Sequence, residues 1–236
     1  IQQKDVASYL AGVGFGDVAI RPSRSHTAVF INWCIARRQM PAGLLKGIHK
    51  RRSVESLPEI WTHERVLEIA KTVPVELRHV WALQWFAGIR PHTSYRLKYE
   101  DLRHDERLIE IPPGRGKAAR REFVEHIPDT IWQWIPRGLK GDVAPANVVV
   151  KMMRLRRLWG FGRRASRAPH DVARHTFATH MLALTKSLAL TSAALTHTTE
   201  SMTKRHYLNR VSHEDGVAYF AMTPESVYAG QTPTPA

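Results

Sequence analysis

Arg90, Lys117, His170, Arg174, His197 and Tyr207 are residue types that together can hold a phosphodiester, attack it and protonate its leaving group without a metal. A phosphodiester carries a full negative charge, and nucleophilic attack places more on its non-bridging oxygens. Guanidinium groups meet this charge well, because each stays protonated and donates two parallel hydrogen bonds to an oxyanion. Losing one such fixed donor costs on the order of 10²–10³ in rate. Arg90 and Arg174 are the two candidates, and Arg90 follows Phe86-Ala87-Gly88-Ile89, at an expected helix end. His170 and Arg174 stand four apart, which on a helix is about 400° of rotation and sets imidazole and guanidinium on one face. A tyrosine hydroxyl can form a stable but reversible ester with phosphorus. With a pKa near 10, only about one in a thousand is ionised at neutral pH, so neighbouring cations or a base must help. Lys204 and Arg205, just before Tyr207, lower the cost of a phenolate.

Positioning these groups requires elements that the residue pattern already indicates. Val6, Tyr9, Leu10 and Val13 recur at helical spacing behind Asp5 as N-cap, with Gly14 as stop. A second helix, near residues 26 to 39, is expected to turn Val29, Phe30, Trp33 and Cys34 to one side. The polar, aperiodic stretch from Ser53 to Pro58 follows a basic cluster at Lys46 to Arg52 and marks a domain boundary, giving domains 1–56 and 57–236. Beyond it, Thr62 caps a helix carrying Val66, Ile69 and Ala70. Leu77, Val80, Trp81 and Trp85 line the next, which runs to Gly88 as terminus. Leu108 to Ile111 and Phe123 to Ile127 read as strands of a hairpin whose long, basic, Gly-rich tip holds Gly114-Arg115-Gly116-Lys117. Helices follow from Asp129, one lined by Val148, Val149, Met152, Leu155 and Trp159, another by Phe177, Met181 and Leu182. Residues 231–236 read as a disordered tail. The fold class is mainly α with a small antiparallel β-sheet, α+β.

The composition favours a polyanionic partner. The 236 residues hold 35 Lys plus Arg against 21 Asp plus Glu, a formal charge of +14, and such a field attracts nucleic acid. No apolar run approaches the roughly 18 residues of a membrane span and no signal peptide opens the sequence, so an intracellular, cytoplasmic protein is expected. The single Cys34 excludes an intrachain disulfide and reads as a packed thiol. The chain opens on Ile1, so it is read as a fragment. Thirteen histidines invite a metallonuclease reading, but there is no His-Glu-x-x-His, Cys/His array or carboxylate cluster beside them.

The run Pro169-His170-Asp171-Val172-Ala173-Arg174-His175-Thr176-Phe177-Ala178-Thr179-His180, then Leu195-Thr196-His197, then Met202-Thr203-Lys204-Arg205-His206-Tyr207, resembles the tyrosine recombinases, the phage-integrase family. The resemblance covers residues 57 to 225 and implies a catalytic domain, with residues 1–56 as part of a helical core-binding domain clamping the far side of the duplex. It implies Tyr207 as nucleophile forming a 3′-phosphotyrosyl link, Arg90, Arg174, His170 and His197 as phosphate ligands, and Lys117 as the acid for the 5′-oxygen. Arg115 is the alternative alignment for that lysine, although an arginine is a poor acid. The basic run from Lys151 to Arg174, including Arg163, Arg164 and Arg167, reads as a phosphate track on double-stranded DNA, joined by Arg115. No metal or cofactor is implied. A homotetramer on two duplexes is, with residues after Tyr207 such as Val217, Tyr219 and Phe220 offered to a neighbour.

Three positions depart from the family pattern. The histidine stands four rather than three before Arg174, Thr93 replaces a carboxylate, and Thr196 replaces the glycine before His197. They keep open a non-catalytic DNA-binding relative. A type IB topoisomerase-like enzyme would use the same catalytic set and is the other alternative.

Overall fold

The computed structural model describes residues 28–37, 39–40, 57–116, 120–160, 171–196, 200, 203 and 211–229. The chain divides into two compact units, Ile1–Glu55 and Ser56–Ala236. In the first, residues 28–36 are helical, and the buried side is Ile31 and Cys34. This corrects the expected stripe. Val29, Phe30 and Trp33 are exposed, Phe30 stacks on Trp33 at 6.3 Å, and Arg37 lies 4.2 Å over the Trp33 ring. An aromatic pair with a cation on its face is stable in water, so hydrophobicity alone misassigned the side. Cys34 is packed, as expected. The proposed helix at residues 6–13, the basic cluster at 46–52 and the tail at 231–236 lie outside the described residues.

The second unit is built on helices α1 (His63–Ala70), α2 (Arg78–Phe86) and the short α3 (Pro91–Ser94). Thr62 caps α1 by accepting from the Arg65 amide, which satisfies an otherwise orphan donor. Val66, Ile69 and Ala70 face inward from it. α2 is buried on every side from Val80 to Phe86, so it forms the centre of the unit rather than an amphipathic cover. Trp81 contacts Trp85, Phe86 and Trp134 at ring separations of 6.1, 5.4 and 5.1 Å. Aromatic pairs of this kind add about 0.5–1.5 kcal/mol each beyond area burial.

A three-stranded antiparallel sheet follows, in the order β1 (Leu102–Arg103), β2 (Leu108–Ile111), β3 (Glu122–Val124). Leu102 faces Ile109, and Ile109 faces Val124. β2 matches the sequence reading. β1 is an addition, too short to show alternation, and β3 stops at Val124 rather than Ile127 because His126 takes a φ of +58°. Buried Glu110 on β2 pairs with Arg103 of β1 and with Arg121 just before β3.

The remaining helices are α4 (Thr130–Trp134), α5 (Val148–Leu158), α6 (Val172–Thr185), α7 (Leu188–Ala194), α8 (His213–Phe220) and α9 (Pro224–Tyr228). α5 buries Val148, Met152 and Leu155, with Trp159 beyond its end, while Val149 points outward against expectation. α8 lies along α6 at Gly216, where an added Cβ would meet the Leu184 amide nitrogen at 2.9 Å and the His180 carbonyl oxygen at 3.0 Å. Tyr219 is fully buried there and its hydroxyl donates to the Trp85 carbonyl. It is a core residue of its own chain, which corrects its assignment to a contact with a neighbour. Among the described residues no helix is long and apolar enough to cross a membrane.

Candidate active site

Arg174 lies in the first turn of α6 and is only 6% exposed. Its guanidinium donates from Nη1 to the Gly88 carbonyl at 2.7 Å and from Nη2 to the Leu195 carbonyl. These two bonds join three segments far apart in sequence: the start of α6, the turn after α2, and the end of α7. Hydrogen bonds from a charged group contribute roughly 1.5–3 kcal/mol each. They also fix the planar head in one orientation, as aiming at an oxyanion requires.

The turn after α2 depends on Gly88. Its φ is +61°, and a Cβ there would come 2.5 Å from Cδ1 of Phe177 on α6. Only glycine permits both the left-handed turn and the close approach of the two helices. Two residues on, Arg90 sits at the N-cap position of α3, with Pro91 setting the first helical residue. Its carbonyl accepts from the Ser94 amide at 2.9 Å. Arg90 and Arg174 are therefore carried on segments that the Gly88 carbonyl ties together. Thr93 is buried inside α3.

Beneath α3 lies a polar chain that the residue pattern did not reveal. Gln84, 4% exposed in the middle of α2, donates to the Ser94 hydroxyl at 3.0 Å, and that hydroxyl donates to the Pro91 carbonyl at 2.8 Å. Gln84 also bonds the Tyr95 hydroxyl, whose pKa burial raises. One polar residue inside the apolar run Trp81 to Phe86 was the available signal. Gln84, Tyr95, Arg156, Asp171 and Arg174 share a small cleft with Met152 and Trp159.

α6 begins at Val172, and Asp171 before it has φ −122° and ψ 29°, outside helical geometry. His170 itself, with Lys117, His197, Tyr207, Arg163, Arg164 and Arg167, lies outside the described residues. Arg115 is described, and its guanidinium pairs with Asp101 while Arg96 donates to the Gly114 carbonyl at 3.1 Å. These contacts hold the base of the hairpin connection on which Lys117 follows. Thr196, next to His197 in sequence, has a φ of +52°, the backbone form that glycine takes freely. Among the described residues no group of three or more His, Cys, Asp or Glu could hold a metal ion.

No family model matches the chain. The tyrosine recombinases XerC of Vibrio cholerae serotype O1, from strains O395 and M66-2 among others, are 24% identical to it over 186 residues, which is 71% of this chain and 60% of theirs. The chain thus spans about 60% of the length of the curated relatives it matches. The solved structure of the XerH site-specific recombinase bound to its difH substrate, a pre-cleavage complex, shares its fold. That match has a TM-score of 0.59 at 17% identity and covers 87% of this chain and 67% of that one. The order of its motifs, its helical fold with a small antiparallel sheet and its similarity to XerC all agree in a likeness to the tyrosine recombinase, or phage integrase, family.

Proposed function

We propose that the protein is a site-specific DNA recombinase that cleaves and rejoins double-stranded DNA through a 3′-phosphotyrosyl intermediate. The observation that carries this reading is the buried Arg174, held by carbonyls of the two segments that lead to Arg90 and to His197. A guanidinium so restrained belongs to a site that must aim charge at one point, and a solvated phosphate-binding surface needs no such anchoring.

In this mechanism the Tyr207 oxygen attacks phosphorus, and the bond to the 5′-oxygen breaks as that oxygen takes a proton from Lys117. Arg90, Arg174, His170 and His197 hold the non-bridging oxygens as charge builds on them. The phosphoester bond lost in DNA is kept in the protein ester, so rejoining reverses the step with a new 5′-hydroxyl and no external energy source. The pairing of Arg115 with Asp101 supports Lys117 over Arg115 as the acid. Arg163, Arg164 and Arg167 extend the phosphate contacts, and a homotetramer on two duplexes completes strand exchange. Thr93 in place of a carboxylate and the left-handed Thr196 favour a second reading, a DNA-binding relative without cleavage.

Cleavage of a nicked duplex separates the two. The wild-type chain should cut it in excess chelator. Lys117→Ala should cut about 10²–10⁴ more slowly, the usual contribution of an acid–base group, and a sulfur in place of the 5′-bridging oxygen should restore much of the rate because thiolate leaves without a proton. Absence of cutting by the wild type on either substrate would favour the non-catalytic reading.

A further inference from the structure

Arg90 and Arg174 are held in different ways. The Arg174 guanidinium is itself anchored by two carbonyls. Arg90 is half-buried, and among the described residues no hydrogen bond or ion pair holds its guanidinium. Its position is therefore set by the backbone that carries it, from Gly88 into α3. That helix has four residues, about one turn, and a single turn does not hold its own geometry in water. Thr93, buried within it, carries no charge to pair with an arginine. The support comes instead from Gln84 on α2, which donates to the Ser94 hydroxyl, and through it to the Pro91 carbonyl, and also bonds the Tyr95 hydroxyl. These contacts fall at both ends of α3: on Pro91, next to Arg90, and on Tyr95, just past the last helical residue. Gln84 and Tyr95 also line the cleft that holds Arg174.

We infer that Gln84 is a positioning residue for Arg90: through Ser94 and Tyr95 it locks α3 onto α2, so that the Arg90 guanidinium meets the same phosphate as Arg174. The inference rests on the function proposed above and assigns to that reaction a residue that reaches the phosphate only through Arg90. Packing alone does not call for an amide here. Gln84 stands among Trp81, Leu83, Trp85 and Phe86, where an apolar side chain would bury without the cost of desolvating a polar group. A satisfied polar network, in contrast, specifies one arrangement of the elements it joins. Ser94 is fully buried, so no solvent stands ready to replace a lost partner. Arg90 is then fixed from both sides, by the Gly88 carbonyl bond to Arg174 before it and by the Ser94 hydroxyl on Pro91 after it. Such precision matters to the rate, because a displacement of about 1 Å at a reacting centre costs about 10²-fold.

The test is single-turnover cleavage of a nicked duplex by the full chain, with DNA affinity measured on the same preparations. Gln84→Met keeps the length of the side chain and removes its amide. Ser94→Ala breaks the network at the Pro91 carbonyl and decides the matter should the first variant not fold. Each should cut up to about 10²-fold more slowly, with DNA affinity within about threefold of wild type because the loss falls on the transition state. In an Arg90→Ala background, itself slower by about 10²–10³, Gln84→Met should add less than about threefold, since the group it positions is gone. A methylphosphonate at the scissile position lacks one anionic oxygen and asks less of Arg90, so on it both Arg90→Ala and Gln84→Met should recover most of their loss relative to wild type. A merely structural defect would slow both substrates alike. That result would overturn the inference, as would losses that multiply in the double variant, or wild-type rates in both Gln84→Met and Ser94→Ala. A wild type that cuts neither substrate would sink the proposed function and the inference with it, whereas a wild type that cuts while these comparisons fail sinks the inference alone.

Discussion

Replacing Thr196 by glycine should stabilise the protein relative to replacing it by alanine, and the size of the difference follows from the backbone. Thr196 has a φ of +52°, where a side chain crowds the carbonyl oxygen and costs roughly 1–2 kcal/mol. Thr196→Gly removes that cost, and the greater freedom of glycine in the unfolded chain returns roughly 0.4–1 kcal/mol. Thr196→Ala loses the same hydroxyl and methyl while keeping the strained Cβ. The two variants therefore share everything except the Cβ, and glycine should come out about 1 kcal/mol the more stable. Urea unfolding of both proteins, followed by tryptophan fluorescence with matched denaturant slopes, measures the difference directly. Equal stabilities, or an alanine variant the more stable, would show that residue 196 is not held in the left-handed form and that the family's glycine has been replaced at no conformational cost.

Two further outcomes follow from the same packing. Gly88→Ala places a Cβ 2.5 Å from Phe177 at a φ of +61°, so it should destabilise the protein by about 2–5 kcal/mol from backbone strain plus overpacking; urea unfolding within about 1 kcal/mol of wild type would refute the tight approach. His180 is buried, donates from Nδ1 to the Thr176 carbonyl at 2.9 Å and stacks on Tyr219 at 4.3 Å, and burial holds its pKa below the ordinary 6.5. The unfolded chain takes up a proton that the folded one resists, so this contribution is complete above pH 6.5 and is lost as pH falls below it. Stability should therefore drop between about pH 7.5 and 5.5, and His180→Gln should flatten that drop; an unchanged pH dependence in the variant would remove His180 as its source. His79 and His104, also lowered by burial, act in the same direction and account for what slope remains.

Local signals were legible in the sequence where one residue decides the geometry. Thr62 capped α1, Gly88 ended α2, and Leu108 to Ile111 formed a strand, because a cap, a left-handed turn and an apolar run each act within a few residues. Periodicity failed where exposure depends on something other than hydrophobicity. Phe30 and Trp33 stack in solvent under Arg37, and Val149 faces outward beside arginines. The anchors of Arg174 were invisible for another reason. They are backbone carbonyls 86 and 21 residues away, and a carbonyl leaves no trace in residue type. Gln84 had a trace, a single amide in an apolar helix, but its partners Ser94 and Tyr95 emerge only once α3 folds back on α2.

The central claim is that Tyr207 carries the DNA strand during recombination. Incubating the chain with a nicked duplex, digesting the product and locating the attached nucleotide by tandem mass spectrometry tests it most directly. The account predicts a phosphonucleotide on the peptide that contains Tyr207, attached through the DNA 3′-phosphate, and no adduct with Tyr207→Phe despite DNA binding within about threefold of wild type, since one hydroxyl adds little ground-state affinity. An adduct on another residue, or one that persists in the phenylalanine variant, would contradict it.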